Sequence, residues 1–115
     1  MAEADFDVAV SPREDGAVLA LSGTVTRGAK EKLEGAYRET ANVGQRILLD
    51  FGRVDYINST GIAVIVGLLA MARAEGREVA AFGLSDHYRT VFEITRLSDF
   101  MNMYDNEAAA SVASS

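Results

Sequence analysis

The 115-residue chain contains no cysteine, which removes disulfide frameworks, thiolate nucleophiles and thiolate metal sites together and fits a reducing cytosol. Histidine occurs once, as His87. With Asp86 beside it near a helix start, His87 reads as a surface residue, and neither a metal-ligand set nor a Ser-His-Asp arrangement can be assembled around it. Positive charge is scarce: 11 Lys and Arg against 17 Asp and Glu leave a net charge of −6. The average surface therefore repels phosphate backbones and anionic membranes, so direct nucleic-acid binding is not expected. The longest apolar run, 61–72, is followed by Arg73 and Glu75 and falls short of the roughly 20 residues that span a bilayer. It reads as a core helix, without membrane insertion. Residues 1–5 are acidic where a secretory signal needs a basic region, so nothing there directs export and a cytoplasmic location is expected. The glycines form no phosphate-cradling Gly-x-x-x-x-Gly-Lys pattern, and Ser59 lies in no Gly-x-Ser-x-Gly elbow. Neither catalysis nor a cofactor is expected.

What is present suffices for one domain, since 49% of the residues are hydrophobic and a chain of this length can bury a core without staples. Residues 6–10 alternate, and 11–16, with the only proline, read as a hairpin turn into a second strand at 17–22. Ala29, Leu33, Ala36, Tyr37 and Thr40 recur at helical spacing until Asn42 and Gly44 supply stop signals. Ile47-Leu48-Leu49 is unalternating, as expected of a strand in the sheet interior. A second helix spans 60–75 and ends at Gly76, and a strand follows at 78–82. Ser85 caps a third helix with Tyr88, Val91, Phe92 and Thr95 on one face. A short strand at 100–104 and an Ala-rich turn capped by Asn106 complete the order, with 113–115 expected to fray. The order β-β-α-β-α-β-α-β predicts an α/β fold: a mixed sheet with helices mainly on one side.

Functional interest concentrates in Asn58-Ser59-Thr60-Gly61, where two hydroxyls stand at the start of an apolar helix. Unpaired N–H groups and the positive end of the helix dipole would welcome a phosphate there. The same residues are also ordinary caps, and spacing alone does not separate the two readings. Gly61 could permit close backbone approach by a partner or ease the strand-to-helix bend. Along the second helix, Ile62, Ile65, Val66 and Leu69 form one apolar stripe, sufficient to pack on a sheet. Val64, Gly67, Leu68 and Met71 form another, which either packs in the core or is left for a partner, in which case Val64, Leu68 or Met71 is exposed.

This stretch resembles the STAS domains of bacterial anti-sigma factor antagonists, whose motif is a buried strand, a short connection, then Asp-Ser-Ser/Thr-Gly opening an apolar helix. The strand is 46–51, the connection runs through 54–57, and Asn58-Ser59-Thr60-Gly61 fills the motif. Leu21-Ser22-Gly23-Thr24-Val25 and Val91-Phe92-Glu93-Ile94-Thr95-Arg96-Leu97 match less specifically, and the resemblance extends over about 16–112 of a single STAS domain with its core at about 6–112. It implies an antagonist that binds an anti-sigma factor, itself a serine kinase with a histidine-kinase-like ATPase fold, and that is switched off by phosphorylation of Ser59, with Thr60 the alternative acceptor. The implied partner surface comprises Thr26, Asn58, Ser59, Thr60, Gly61, Val64, Leu68 and Met71. Two positions depart from the pattern: Asn58 and Thr26 stand where acids are usual. A STAS module used only for docking, in a signalling or lipid-transport complex, is the alternative.

Overall fold

The computed structural model describes residues 6–41 and 44–112. The opening alternation becomes a hairpin in which β1 (Asp7–Arg13) pairs antiparallel with β2 (Gly16–Val25), from Asp7 opposite Ser22 to Arg13 opposite Gly16. The turn is only Glu14-Asp15, so Ser11, Pro12 and Arg13 belong to the strand rather than to the turn expected there. Pro12 is tolerated because β1 is the outermost strand, whose outward-facing N–H positions join no ladder.

A 3₁₀ turn (Arg27–Ala29) leads into α1 (Lys30–Arg38), and Ala29, Leu33, Ala36, Tyr37 and Thr40 are all buried, as their spacing predicts. Of the two stop signals, Asn42 lies outside the described residues, while Gly44 adopts φ 120°. The strand expected to end near Phe51 continues as β3 (Arg46–Ile57), because β2 keeps pairing with it as far as Val25 opposite Ile57, through two register shifts. The remaining elements are α2 (Ser59–Ala74), β4 (Glu78–Phe82), α3 (Asp86–Ile94), β5 (Asn102–Tyr104) and α4 (Glu107–Val112).

The sheet order is β1-β2-β3-β4-β5, with β2 to β5 mutually parallel. Ile47, Leu48 and Leu49 therefore lie in the central strand, and all three are buried. Leu19, Leu21, Ile47, Leu49, Phe51, Val79 and Ala81 share the main core with residues of α1, α2 and α3. Alternation sends Val18, Leu48, Ala80 and Phe82 to the opposite face, against Ala110 of α4. Arg46 reaches across from β3 to donate to the Ala110 carbonyl at 2.8 Å, and Arg13 grips Glu107 at 2.7 and 3.2 Å. These contacts hold the short helix on the thinner face.

Ser85 caps α3 by accepting from the Tyr88 N–H at 3.3 Å, and Asn106 caps α4 by accepting from the Ala109 N–H at 2.9 Å. Phe92 is buried, with Tyr88 and Val91 half-buried, but Thr95 lies past the end of α3 and is exposed. The last strand has three residues rather than the expected five, and Phe100 faces solvent. Residues 113–115, expected to fray, and the acidic residues 1–5 lie outside the described residues. Among those described, no helix is long and apolar enough to cross a membrane.

Candidate functional site

The ends of β2 and β3 lie side by side, and the residues that follow them are laced together. Asn58 is extended (φ −102°, ψ −177°) and its Oδ1 accepts the Gly61 N–H at 2.9 Å, satisfying one of the orphan donors of α2. Its own N–H donates to the Val25 carbonyl at 3.3 Å, and its carbonyl accepts from Ile62 at 3.0 Å. The Thr60 hydroxyl donates to the same Asn58 Oδ1 at 2.7 Å and accepts the Arg27 N–H at 2.9 Å. Thr26, half-buried, caps the 3₁₀ turn by accepting from the Gly28 N–H at 3.2 Å. Thr26, Asn58, Ser59, Thr60 and Gly61 are thus brought together at one end of the sheet.

The two hydroxyls differ in their situation. Thr60 is half-buried and its hydroxyl both donates and accepts, whereas Ser59 is exposed and its hydroxyl makes no hydrogen bond among the described residues. Ser59 stands in the first turn of a 16-residue helix with no acidic side chain in that turn. The positive end of the dipole is thus met by the neutral Asn58 cap and by no carboxylate of that turn. Tyr88, which spacing had put only on a packed face, reaches from α3 to accept the Ile57 N–H at 3.0 Å through its hydroxyl. It braces the strand end that carries Asn58.

Gly61 is a correction to the expected partner surface. It is buried, and a Cβ there would come within 1.9 Å of the Val25 carbonyl oxygen. Its missing side chain admits β2 of its own chain.

The second apolar stripe of α2 also needs correcting. Leu68 is buried at 1% exposure, and Val64 and Met71 are half-buried and packed against the core. Ile65, Leu68, Leu69 and Ala72 form the buried arc at i, i+3, i+4, i+7. This arc is wide because α1 packs beside α2, where the Tyr37 hydroxyl donates to Glu75 Oε1 at 2.6 Å. Val66, expected against the sheet, is instead 47% exposed. The outward arc begins at Ser59 and continues through Ala63, Val66, Gly67 and Ala70. Counting in helical steps from Ser59 would have found it.

His87 is exposed and lies edge-on to Tyr88 at 4.8 Å between ring centroids. Among the described residues no group of three His, Cys, Asp or Glu is placed to hold a metal ion.

Comparison with known proteins matches residues 8–103 to the family described as Mlab, STAS domain. BtrV of Bordetella bronchiseptica, assigned as an anti-sigma factor antagonist, is 37% identical over 99 residues, covering 84% of this chain and 85% of the relative. The anti-sigma-B factor antagonist of Listeria monocytogenes is 40% identical over 78 residues, 68% of this chain and 66% of the relative. Among solved structures, the unphosphorylated anti-sigma factor antagonist SpoIIAA superposes with a TM-score of 0.66 at 22% identity, covering 95% of this chain and 98% of that one. The phosphorylated form of SpoIIAA, from Bacillus, gives 0.64 at 20% identity, covering 95% and 99%. At these identities the structural likeness speaks for the fold, a five-stranded mixed sheet with four helices.

Proposed function

This chain belongs to the STAS-domain family of anti-sigma factor antagonists, and from that membership we propose that it acts in the cytoplasm by binding an anti-sigma factor and is switched off by phosphate on Ser59. It is a regulatory binding protein rather than an enzyme. The observation that carries the reading is the unequal state of the two hydroxyls: Ser59 projects unbonded into solvent, while Thr60 is committed to Asn58 and to the Arg27 N–H. A kinase can take the first without unlacing the helix start. The relatives' names, and the existence of SpoIIAA in both unphosphorylated and phosphorylated forms, support the same assignment.

The switch would work locally. A phosphate adds about −1.5 to −2 charges, and the residues that follow on the outward arc, Ala63, Gly67 and Ala70, are small enough for a partner to approach the helix closely. At such an approach the new charge imposes repulsion and a desolvation cost on the complex. Within the domain the helix dipole accommodates it. The partner is an anti-sigma factor that is also a serine kinase with a histidine-kinase-like ATPase fold, meeting Ser59 together with the neighbouring Thr26, Asn58 and Thr60.

Incubation with the anti-sigma kinase of the same organism and ATP should add one phosphate, and Ser59→Ala should abolish it. The modified protein should lose affinity for the kinase. Phosphate found only on Thr60, or undiminished binding by Ser59-phosphorylated protein, would overturn the reading. A second reading, docking without a kinase, is favoured by Asn58, a neutral cap that adds no charge beside the acceptor. It predicts a stable partner complex and no incorporation of phosphate.

A further inference from the structure

Beside the C-terminal half of α2, where β4 meets residues 95–102, lies an open cleft of about 590 Å³, within the span of about 300–1,000 Å³ common to small-molecule sites. Its floor is apolar: Leu69, Val79, Leu97 and Met101 line it, each less than a tenth exposed. Its rim carries Val66 and Phe100, two of the four large apolar side chains that the described residues leave exposed.

The charges around it do not cancel. Arg77 is spent on structure, donating to the Thr40 hydroxyl and carbonyl at 2.9 Å each and to the Gly44 carbonyl at 2.6 Å. Arg96 pairs with Asp99 at 2.8 Å, and Glu78 with Arg46 at 3.4 Å. Arg73 alone of the lining guanidinium groups has neither an ion pair nor a hydrogen bond among the described residues, and it lies over the Phe100 ring at 5.7 Å. In a protein of net charge −6, this is an apolar cleft with one cation at its lip that, among the described residues, has no carboxylate partner.

We propose that the cleft binds an amphipathic monocarboxylate, its alkyl or aryl body on Leu69, Val79 and Leu97 and its carboxylate forked onto Arg73. A guanidinium matches the two oxygens of a carboxylate in a bidentate pair. A doubly charged group fits less well, since a single free cation would face it with Asp99 and Glu78 also lining the cleft. Fourteen residues of helix separate Ser59 from Arg73, about 21 Å at 1.5 Å per residue, well beyond the Debye length of about 8 Å at physiological salt. A charge on Ser59 therefore does not reach Arg73, and the two assignments fail separately, although Val66 and Ala70 belong both to the cleft and to the outward arc.

The test is titration of the ¹⁵N-labelled full chain with sodium decanoate kept monomeric, read by amide chemical shifts, with acetate at equal ionic strength as control. Saturable shifts confined to residues around the cleft are expected with decanoate and not with acetate. Arg73→Gln should weaken decanoate binding about tenfold, the scale of one lost charge-assisted contact, with the unfolding midpoint essentially unchanged. No saturable shift, shifts spread over the whole domain, or equal affinity in Arg73→Gln would overturn the proposal. So would a cleft that responds only to a protein partner, which would make it a docking surface.

Discussion

The Thr60 hydroxyl donates to the Asn58 side-chain oxygen at 2.7 Å, and the same oxygen caps α2 through Gly61. Because Thr60 also accepts the Arg27 N–H, its replacement by isosteric valine strands one backbone donor and releases one cap contact. Thr60→Val should therefore cost about 1–3 kcal/mol, while Ser59→Ala should stay within about 0.5 kcal/mol, as surface changes do. Urea unfolding of the two variants measures the difference. Equal losses would mean that Ser59 also holds the junction.

Ser59→Asp should reproduce part of the phosphate's effect on partner affinity while leaving the fold intact. An acid in the first turn of a helix is favourable by about 0.3–1 kcal/mol. Binding and thermal unfolding measured on the same preparation should thus move independently. A carboxylate carries less charge than phosphate, so the loss of affinity should be incomplete.

Gly61 and Gly67 occupy one helix and should respond in opposite directions to alanine. At Gly61 the new methyl meets the Val25 carbonyl oxygen, and β2 or α2 must shift; the cost should be about 1–3 kcal/mol or more. At Gly67 nothing lies within 4 Å of the added carbon, and the helix should gain about 0.5–1 kcal/mol. Denaturation midpoints measure both changes.

Leu68→Ala should destabilise the fold by about 2–5 kcal/mol because it hollows the core. Val66→Lys should leave stability within about 0.5 kcal/mol and weaken partner binding. Loss of stability in the second variant without loss of binding would reverse the assignment of helix faces.

Burial, reinforced by the hydrogen bond to Glu75, raises the Tyr37 phenol above its ordinary value of 10.0, with Arg77 opposing. In the unfolded chain the phenol ionises near pH 10, while the native state keeps the proton. Above that pH the unfolded state binds fewer protons, so stability falls as pH rises. The contribution is intact below about pH 10 and lost through the folded pKa. Tyr37→Phe should flatten this part of the alkaline decline and, by removing the bond to Glu75, cost about 1 kcal/mol at neutral pH. Parallel urea titrations on either side of pH 10 would measure both effects.

The central strand and β4 were legible because short apolar runs buried on both faces leave a local signature, as Ile47-Leu48-Leu49 does. Residues 52–57 were not, since Arg53 and Asp55 break the pattern and their strand character comes from pairing with β2. The position of the hydroxyl pair was legible from local spacing. Which hydroxyl is engaged was not, because the partner of Thr60 is a backbone N–H 33 residues away. The faces of α2 were misassigned for a related reason: α1, distant in sequence, widens the arc of the helix that is buried.

The sheet ends at β1, which carries Pro12, and at β5, which is only three residues long. A proline offers an incoming strand no donor, and so short an edge gives little ladder to extend. Meanwhile the unalternating apolar run Ile47-Leu48-Leu49 has both of its sides occupied by β2 and β4. Strand addition and fibril growth are thus discouraged at both margins, which leaves the helical surface as the face by which this domain can associate without polymerising.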